Sequence, residues 1–310
     1  MKRNLATGIA SLTFVLGGCA GLSGSDGLDA VLSPGAQVEL VQEGFQFTEG
    51  PLDAPDGGLF FTDLGKPSRI FRLDGSGKIA PYVDRTQRAN GLAYMRNGAM
   101  MSVEAEGKRV IRIEKNTTMA EVTRGDGEKP LLAPNDLIAD SKGGLYFTDP
   151  GPRPVVPGRK VYVYYLPPGA STAIAVDDTM VRPNGLTLTL DERTLIVADT
   201  VEHDLIAFDV QRDGRLTARR VWARLRGLKQ GEDSGADGMA IDRTERVFVT
   251  TATGVQVFEK NGQYVGTIPV PRRPTNVAFA GPGKSILYTT AREGLYRVRT
   301  LTRGPDRLGK

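Results

Sequence analysis

The stretch Asn135-Asp136-Leu137-Ile138-Ala139-Asp140-Ser141-Lys142-Gly143-Gly144-Leu145-Tyr146-Phe147-Thr148-Asp149 decides how the chain is read. It opens on a short side chain ending in an oxygen. It then crosses a small apolar run and a glycine turn, and closes on a second run rich in β-formers. The same phrase occurs five more times. Its other openings are Glu49-Gly50-Pro51, Asn90-Gly91-Leu92, Asn184-Gly185-Leu186, Asp237-Gly238-Met239 and Asn276-Val277-Ala278, and the matching second runs are 59–63, 100–104, 195–199, 247–251 and 287–291. From opening to close is fourteen residues in four phrases and fifteen in the two that begin at Asn184 and Asn276.

A third β-rich run follows each phrase, at 69–73, 109–113, 161–165, 205–209, 255–258 and 295–299. Asp74-Gly75 and Asn261-Gly262 come after two of these runs, where hairpin turns need positive φ. The openings recur every 39 to 53 residues, within reach of the period of a propeller blade. The expected fold is therefore all-β, a six-bladed β-propeller with a central metal site, over residues 37–302. Each blade has four antiparallel strands, the first nearest the channel. Residues 37–41 are expected to complete the last blade and close the ring. The proline-rich loop at 150–160 lengthens one connection and could wall a pocket.

The chain has 310 residues, 40% hydrophobic and 25% charged, ordinary for a soluble globular protein. Gly 38 and Pro 19 suit many short strands and tight turns. The formal net charge is +4, and two of the positive charges, Lys2 and Arg3, lie in the leader. The only adjacent arginine pairs are Arg219-Arg220 and Arg272-Arg273, and no basic stripe alternates with aromatics, so no nucleic-acid partner is expected.

Lys2 and Arg3 precede an apolar segment, 5–16, too short to span a bilayer. It ends in Leu16-Gly17-Gly18-Cys19, which is similar to the lipobox of bacterial lipoproteins. Residues 1–18 are read as a lipoprotein signal peptide. Residues 19–36 are read as the lipidated Cys19 with a flexible tether, and 303–310 as a C-terminal tail. An ordinary signal peptide with an incidental cysteine is the plainer alternative. Ala20, not an aspartate, follows the cysteine, which resembles lipoproteins sorted to the periplasmic face of the outer membrane. Contact with the membrane is expected only through the lipid. Cys19 is the only cysteine.

In a propeller the starts of the innermost strands meet at one mouth of the channel. Glu49, Asn90, Asn135, Asn184, Asp237 and Asn276 would form a ring of oxygens there. Two carboxylates with amide oxygens, and neither thiol nor imidazole, match a hard cation: Ca²⁺ first, Mg²⁺ or Mn²⁺ next. The one histidine, His203, lies off the ring. A simpler reading competes, since Asn-Gly and Asp-Gly are common turn dipeptides, so Asn90, Asn184 and Asp237 could be turn residues only. Against it, the phase holds at Asn135 and Asn276, where no glycine follows, and at Glu49, a poor turn former.

Several segments then point to a family. Thr48-Glu49-Gly50-Pro51, Pro134-Asn135-Asp136-Leu137 with Tyr146-Phe147-Thr148-Asp149-Pro150, Arg182-Pro183-Asn184-Gly185-Leu186, Asp237-Gly238-Met239-Ala240-Ile241-Asp242 and Pro274-Thr275-Asn276-Val277-Ala278-Phe279 resemble, in order, the signature segments of the SMP-30/gluconolactonase family. The likeness runs from about residue 37 to 299. It implies a six-bladed propeller with one catalytic divalent metal, commonly Ca²⁺, and hydrolysis of sugar lactones or other lactones, in some members of organophosphates. It also implies Glu49, Asn184 and Asp237 as metal ligands, with Asn135 on metal or substrate. One position departs: the senescence-marker branch has an arginine two residues before the asparagine of its Asn-Asp pair, and here Ala133 stands there. A sugar contact is then missing or comes from Arg182 or the 150–160 loop.

The expected chemistry is water attack on a metal-polarised lactone carbonyl, with Asp237 accepting the proton of the water. Glu49 supplies charge, and Asn135 and Asn184 neutral oxygens. Asn90 and Asn276 orient substrate or water, or serve between blades. Asp149 acts behind the ligands or bonds to backbone amides. No serine-histidine triad is available and no Gly-x-Ser-x-Gly elbow occurs. A phosphotriesterase-like hydrolase using the same site and a non-enzymatic tethered scaffold are the rival readings. The oligomeric state is not read from the sequence.

Overall fold

A computed structural model describes residues 27–307. The expectations for the signal peptide 1–18 and for Cys19 lie outside the described residues. The chain folds into six four-stranded antiparallel sheets, and five of them are built from consecutive strands. The innermost strands are β2 (Thr48–Asp53), β6 (Ala89–Tyr94), β10 (Leu137–Ala139), β14 (Pro183–Leu188), β18 (Met239–Ile241) and β22 (Asn276–Ala280). Neighbours among them pack side by side around the ring, with β2 against both β6 and β22. The second strands are β3 (Leu59–Asp63), β7 (Met100–Glu104), β11 (Leu145–Asp149), β15 (Thr194–Asp199), β19 (Val247–Thr251) and β23 (Ile286–Ala291). All six expected second runs are therefore strands.

The sixth sheet has the order β1-β24-β23-β22. Strand β1 (Glu39–Glu43) lies at its outer edge, paired with β24 (Gly294–Arg299). The start of the folded chain thus completes the last blade, as its position before the first repeat predicts. A propeller closed this way leaves no gap between first and last blades.

Six hydrophobic clusters hold the ring, each made by two adjacent blades. Side chains alternate between the faces of a strand, so each middle strand serves two clusters. Leu145 and Phe147 face the second blade while Tyr146 faces the fourth. Leu195 and Val197 face the third blade while Ile196 and Ala198 face the fifth. Both faces are covered, so these strands read as continuous apolar runs rather than as alternating ones.

Two stretches expected outside the propeller pack onto it. Residues 27–36 were expected within the tether, yet Gly27–Ala30 forms a short 3-10 turn, Val31 is fully buried, and Leu32 bridges to Thr300. Apolar Leu28, Val31, Leu32 and Ala36 join the cluster between the fifth and sixth blades. The expected tail from 303 is likewise held: Arg307 donates to the carbonyls of Leu188 and Thr189, at 2.8 and 3.1 Å. Among the described residues no helix is long and apolar enough to cross a membrane.

Candidate active site

Five of the six ring residues, all but Asn276, sit where the inner strands lose or have not yet begun regular pairing. The register of β2 against β3 slips by one residue between Glu49 and Leu52. The same slip occurs between Ala89 and Leu92 in β6, and between Pro183 and Leu186 in β14. These are β-bulges, which re-aim a side chain at the rim of a sheet. Asn90 and Asn184 thus lie inside strands, and the glycines after them have no positive φ. The turn-dipeptide reading fails on both counts. Those glycines answer to close approach instead: a β-carbon at Gly185 would strike the carbonyl of Asp237, and one at Gly91 would strike the Asp136 carboxylate.

Asn135 and Asp237 precede their short strands, each with its amide donated to the second strand of its blade, to Thr148 O at 2.9 Å and Thr250 O at 3.0 Å. Hydroxyls fasten one blade to the next at this level. Thr62 Oγ1 donates to Asn90 O at 3.1 Å, and Thr148 Oγ1 to Asn184 O at 2.7 Å. The ring's geometry is therefore fixed by backbone contacts as well as by sheet pairing.

Glu49, Asn90, Asn135, Asn184 and Asp237 line one cavity of about 790 Å³. Glu49, Asn90 and Asn184 are nearly buried, while Asn135 and Asp237 keep part of their surface open to the cavity. Three ring oxygens are buried without a hydrogen-bond partner among the described residues: Asn90 Oδ1, Asn184 Oδ1 and Asp237 Oδ1. Such atoms cost free energy unless something occupies them. The Asn184 amide is oriented by its Nδ2, which donates to Thr200 Oγ1 at 2.9 Å. Glu49 Oε2 accepts from the Gly50 amide and from Asn276 Nδ2, both at 3.0 Å.

Asn276 differs from the other five. It is buried, lies off the cavity wall, and has both ends engaged: Nδ2 on Glu49, and Oδ1 accepting from the Val277 amide at 2.9 Å. It holds Glu49 in place from behind the cavity wall. Arg182 lines the cavity but spends Nη1 on the carbonyls of Pro150 and Gly151, at 3.3 and 3.1 Å, so it also anchors the proline-rich loop. Ala133 lines the wall and brings no polar side chain.

Burial pushes the Asp237 carboxyl well above its ordinary range, and the nearby charges of Glu49 and Asp136 push it further; Arg182 and Arg273 oppose the shift. Asp136 is an acidic neighbour of Asp237 that the repeat pattern does not single out. It is fully buried, and one oxygen accepts from the Leu137 amide at 2.9 Å. The signal was present in one place: among the six residues that follow a ring position, Asp136 alone is charged.

The carboxylates that close the second strands do a different job. Asp149 accepts from the amides of Leu132 and Ala133 at 2.7 and 2.8 Å, and burial raises its pKa. Asp63 accepts from the amides of Gln46 and Phe47, and Asp199 from those of Val181 and Arg182. Each clamps the backbone two or three residues before a ring residue. Of the two readings of Asp149, bonding to backbone amides is the one seen.

The donor set suits a hard cation: oxygen only, two carboxylates, and amide oxygens left unpartnered. Among the described residues no three His, Cys, Asp or Glu side chains gather to form a metal cluster, since half of this set is asparagine.

The gluconolactonase of Zymomonas mobilis is 26% identical to this chain, covering 89% of it and 85% of its own length. Lactonase drp35 of Staphylococcus aureus is 31% identical, over 76% of this chain and 73% of its own. A solved gluconolactonase from Xanthomonas campestris superposes with a TM-score of 0.78 at 28% identity, covering 88% of this chain and 92% of that one. The calcium-binding protein regucalcin of Agrobacterium tumefaciens shares the fold, with a TM-score of 0.74 at 18% identity, over 86% of this chain and 94% of that one. The profile of the SMP-30/gluconolactonase/LRE-like region matches residues 47–293, and the chain belongs to that family.

Proposed function

We propose that the chain is a divalent-metal-dependent lactonase that opens a lactone ring with water, taking a sugar lactone to its aldonic acid. The observation that carries this reading is the trio of buried, unpartnered oxygens on Asn90, Asn184 and Asp237 beside Glu49 in one cavity. Glu49, Asn135, Asn184 and Asp237 would hold the cation, Ca²⁺ by the hardness of the donors. When bound, the cation supplies positive charge that polarises the lactone carbonyl and favours the negative charge developing there.

The protein's own part is positional and acid–base. Asp237 lines the cavity with Oδ1 unbonded, so it can take the proton of the attacking water. The Gly50 amide and Asn276 fix Glu49, and Thr200 fixes Asn184, so little reorganisation is left for the reaction itself. Asn90 offers its oxygen to a substrate hydroxyl or to water. The lactone reading is supported by relatives named gluconolactonase and lactonase.

The test is acid release from glucono-1,5-lactone, with Ca²⁺, with chelator, and for Asp237→Asn. Metal-dependent release that collapses in the variant supports the reading. Turnover of phosphotriesters alone would replace the substrate, and indifference to both metal and lactone would leave a scaffold.

The leader is read as that of an exported lipoprotein, acylated at Cys19 and held at the periplasmic face of the outer membrane. Lys2, Arg3, the apolar segment and Gly17-Gly18-Cys19 support this. Cys19→Ser should release the protein from the membrane fraction, and retention there would sink the idea.

A further inference from the structure

The mouth of the cavity carries more positive charge than its own acids neutralise. Among its lining acids, Asp233 pairs with Arg153 and Glu106 with Lys66, both at 3.5 Å. Arg88, Lys108 and Arg273 also line it; each is exposed, and none of their side chains makes a hydrogen bond or ion pair among the described residues. Arg273 lies over Gly235, where φ is 62° and a β-carbon would strike the guanidinium, and it stands close enough to Asp237 to act on its charge. Arg182 completes the group from inside: its side chain is more than nine-tenths buried, lines the same cavity, and has Nε unpartnered. Burial disfavours its charge most and repulsion from Arg153 adds to that, while Asp237, Asp199 and Asp233 stand near enough to favour it without forming an ion pair.

A buried guanidinium that no carboxylate contacts directly is costly, and crowding by a second cation adds to the cost. An anion at this place would relieve both. Arginine's planar fork suits a carboxylate or a phosphate, and exposed cations around a cavity draw anions toward it.

We infer that the substrate is an anionic lactone, carrying a carboxylate or phosphate away from the reacting carbonyl, received by Arg88, Lys108, Arg182 and Arg273. The inference rests on the lactonase reading and narrows its substrate class. Hydrolysis then adds water across the ring C–O bond. The ring oxygen leaves as a hydroxyl, the carbonyl carbon becomes a second acid, and the product carries one more negative charge than the substrate.

The test uses the full chain with Ca²⁺ in excess. Acid release is followed on neutral glucono-1,5-lactone, on glucaro-1,4-lactone with its carboxylate, and on 6-phosphoglucono-1,5-lactone, at low and raised salt. At low salt, kcat/KM for one of the anionic lactones should exceed that for the neutral one by about tenfold or more. Which of the two leads identifies the anion. The advantage should shrink as salt screens the mouth, and shrink again in Arg88→Gln and Arg273→Gln, both exposed positions. Equal turnover of neutral and anionic lactones, unmoved by salt, overturns the inference and leaves the lactonase standing. If no lactone is opened, calorimetry with D-glucarate and D-gluconate still decides, because the two differ by one terminal carboxylate. Tighter binding of glucarate upholds the cation site, and equal binding overturns it.

Discussion

Asp149 and Asp237 are two acids at the same end of the propeller, and their surroundings separate them. Asp149 closes the second strand of its blade and is fully buried, with backbone amides at 2.7 and 2.8 Å on its oxygens. Asp237 opens an innermost strand, faces the cavity, and has one buried oxygen with nothing bonded to it. Burial raises the pKa of both, so the shift alone does not tell them apart. The difference lies in what remains to be satisfied. A clamped carboxylate stabilises a loop, whereas an unpartnered one is kept for something that arrives.

The contrast breaks most sharply at Asp237→Asn. Lactone hydrolysis should fall by roughly 10²–10⁴-fold, the range for loss of a general base, while the metal-free protein melts no lower than the parent. A variant with near-parental turnover would move the base elsewhere. Calcium comes next. At about a hundred times its dissociation constant it should stabilise the fold by about 2.7 kcal/mol, read as a rise in Tm that chelator reverses. That rise should grow from acid to neutral pH. Asp237 holds its proton to higher pH than an ordinary aspartate and must release it before a cation binds.

Asn276→Ala sharpens the comparison from behind the ring. It removes the amide that holds Glu49, so calcium affinity measured by calorimetry should drop about 10–100-fold. A loss confined to substrate KM would return Asn276 to the cavity wall. Asp149→Asn should show the reverse signature and the smallest effect on turnover. It should cost roughly 1.5–3 kcal/mol in chemical denaturation, with kcat within a few-fold of the parent. Orders of magnitude lost in kcat at unchanged stability would merge the two kinds of acid.

The ring was legible because a strand repeat is a spacing, and spacing survives in sequence. Each opening is set by the β-run that follows it, so Glu49, Asn90, Asn135, Asn184 and Asp237 could be aligned by counting. What counting cannot do is give the direction of a side chain. Asn276 occupies the same phase and turns to Glu49 instead of to the cavity. The glycines needed the structure for a related reason. Gly91 and Gly185 look like turn formers, yet what they supply is room for Asp136 and for the Asp237 carbonyl, each in the next blade. The mouth cations gave only a broken periodic signal: Arg88 stands two residues before Asn90, as Arg182 does before Asn184, but Arg273 stands three before Asn276 and Lys108 precedes no ring residue. Arg88, Lys108 and Arg273 sit on connections of different length, and only closure of the ring brings them to one rim. The tether reading of 19–36 rests on the Gly- and Ser-rich stretch 21–27, whereas Leu28, Val31 and Leu32 just after it carry the apolar pattern of a docking segment.

The seam between β1 and β24 also sets how the molecule carries a mechanical load. Any pull transmitted along the chain ahead of residue 27 reaches first the contacts of Val31 and Leu32 and the outer edge of the sixth blade. The innermost strand of that blade, which carries Asn276, lies three strands further in. Strain applied at the N-terminal side is thus taken up by an edge strand that can yield and re-pair, and the channel is shielded from it by the width of a whole sheet.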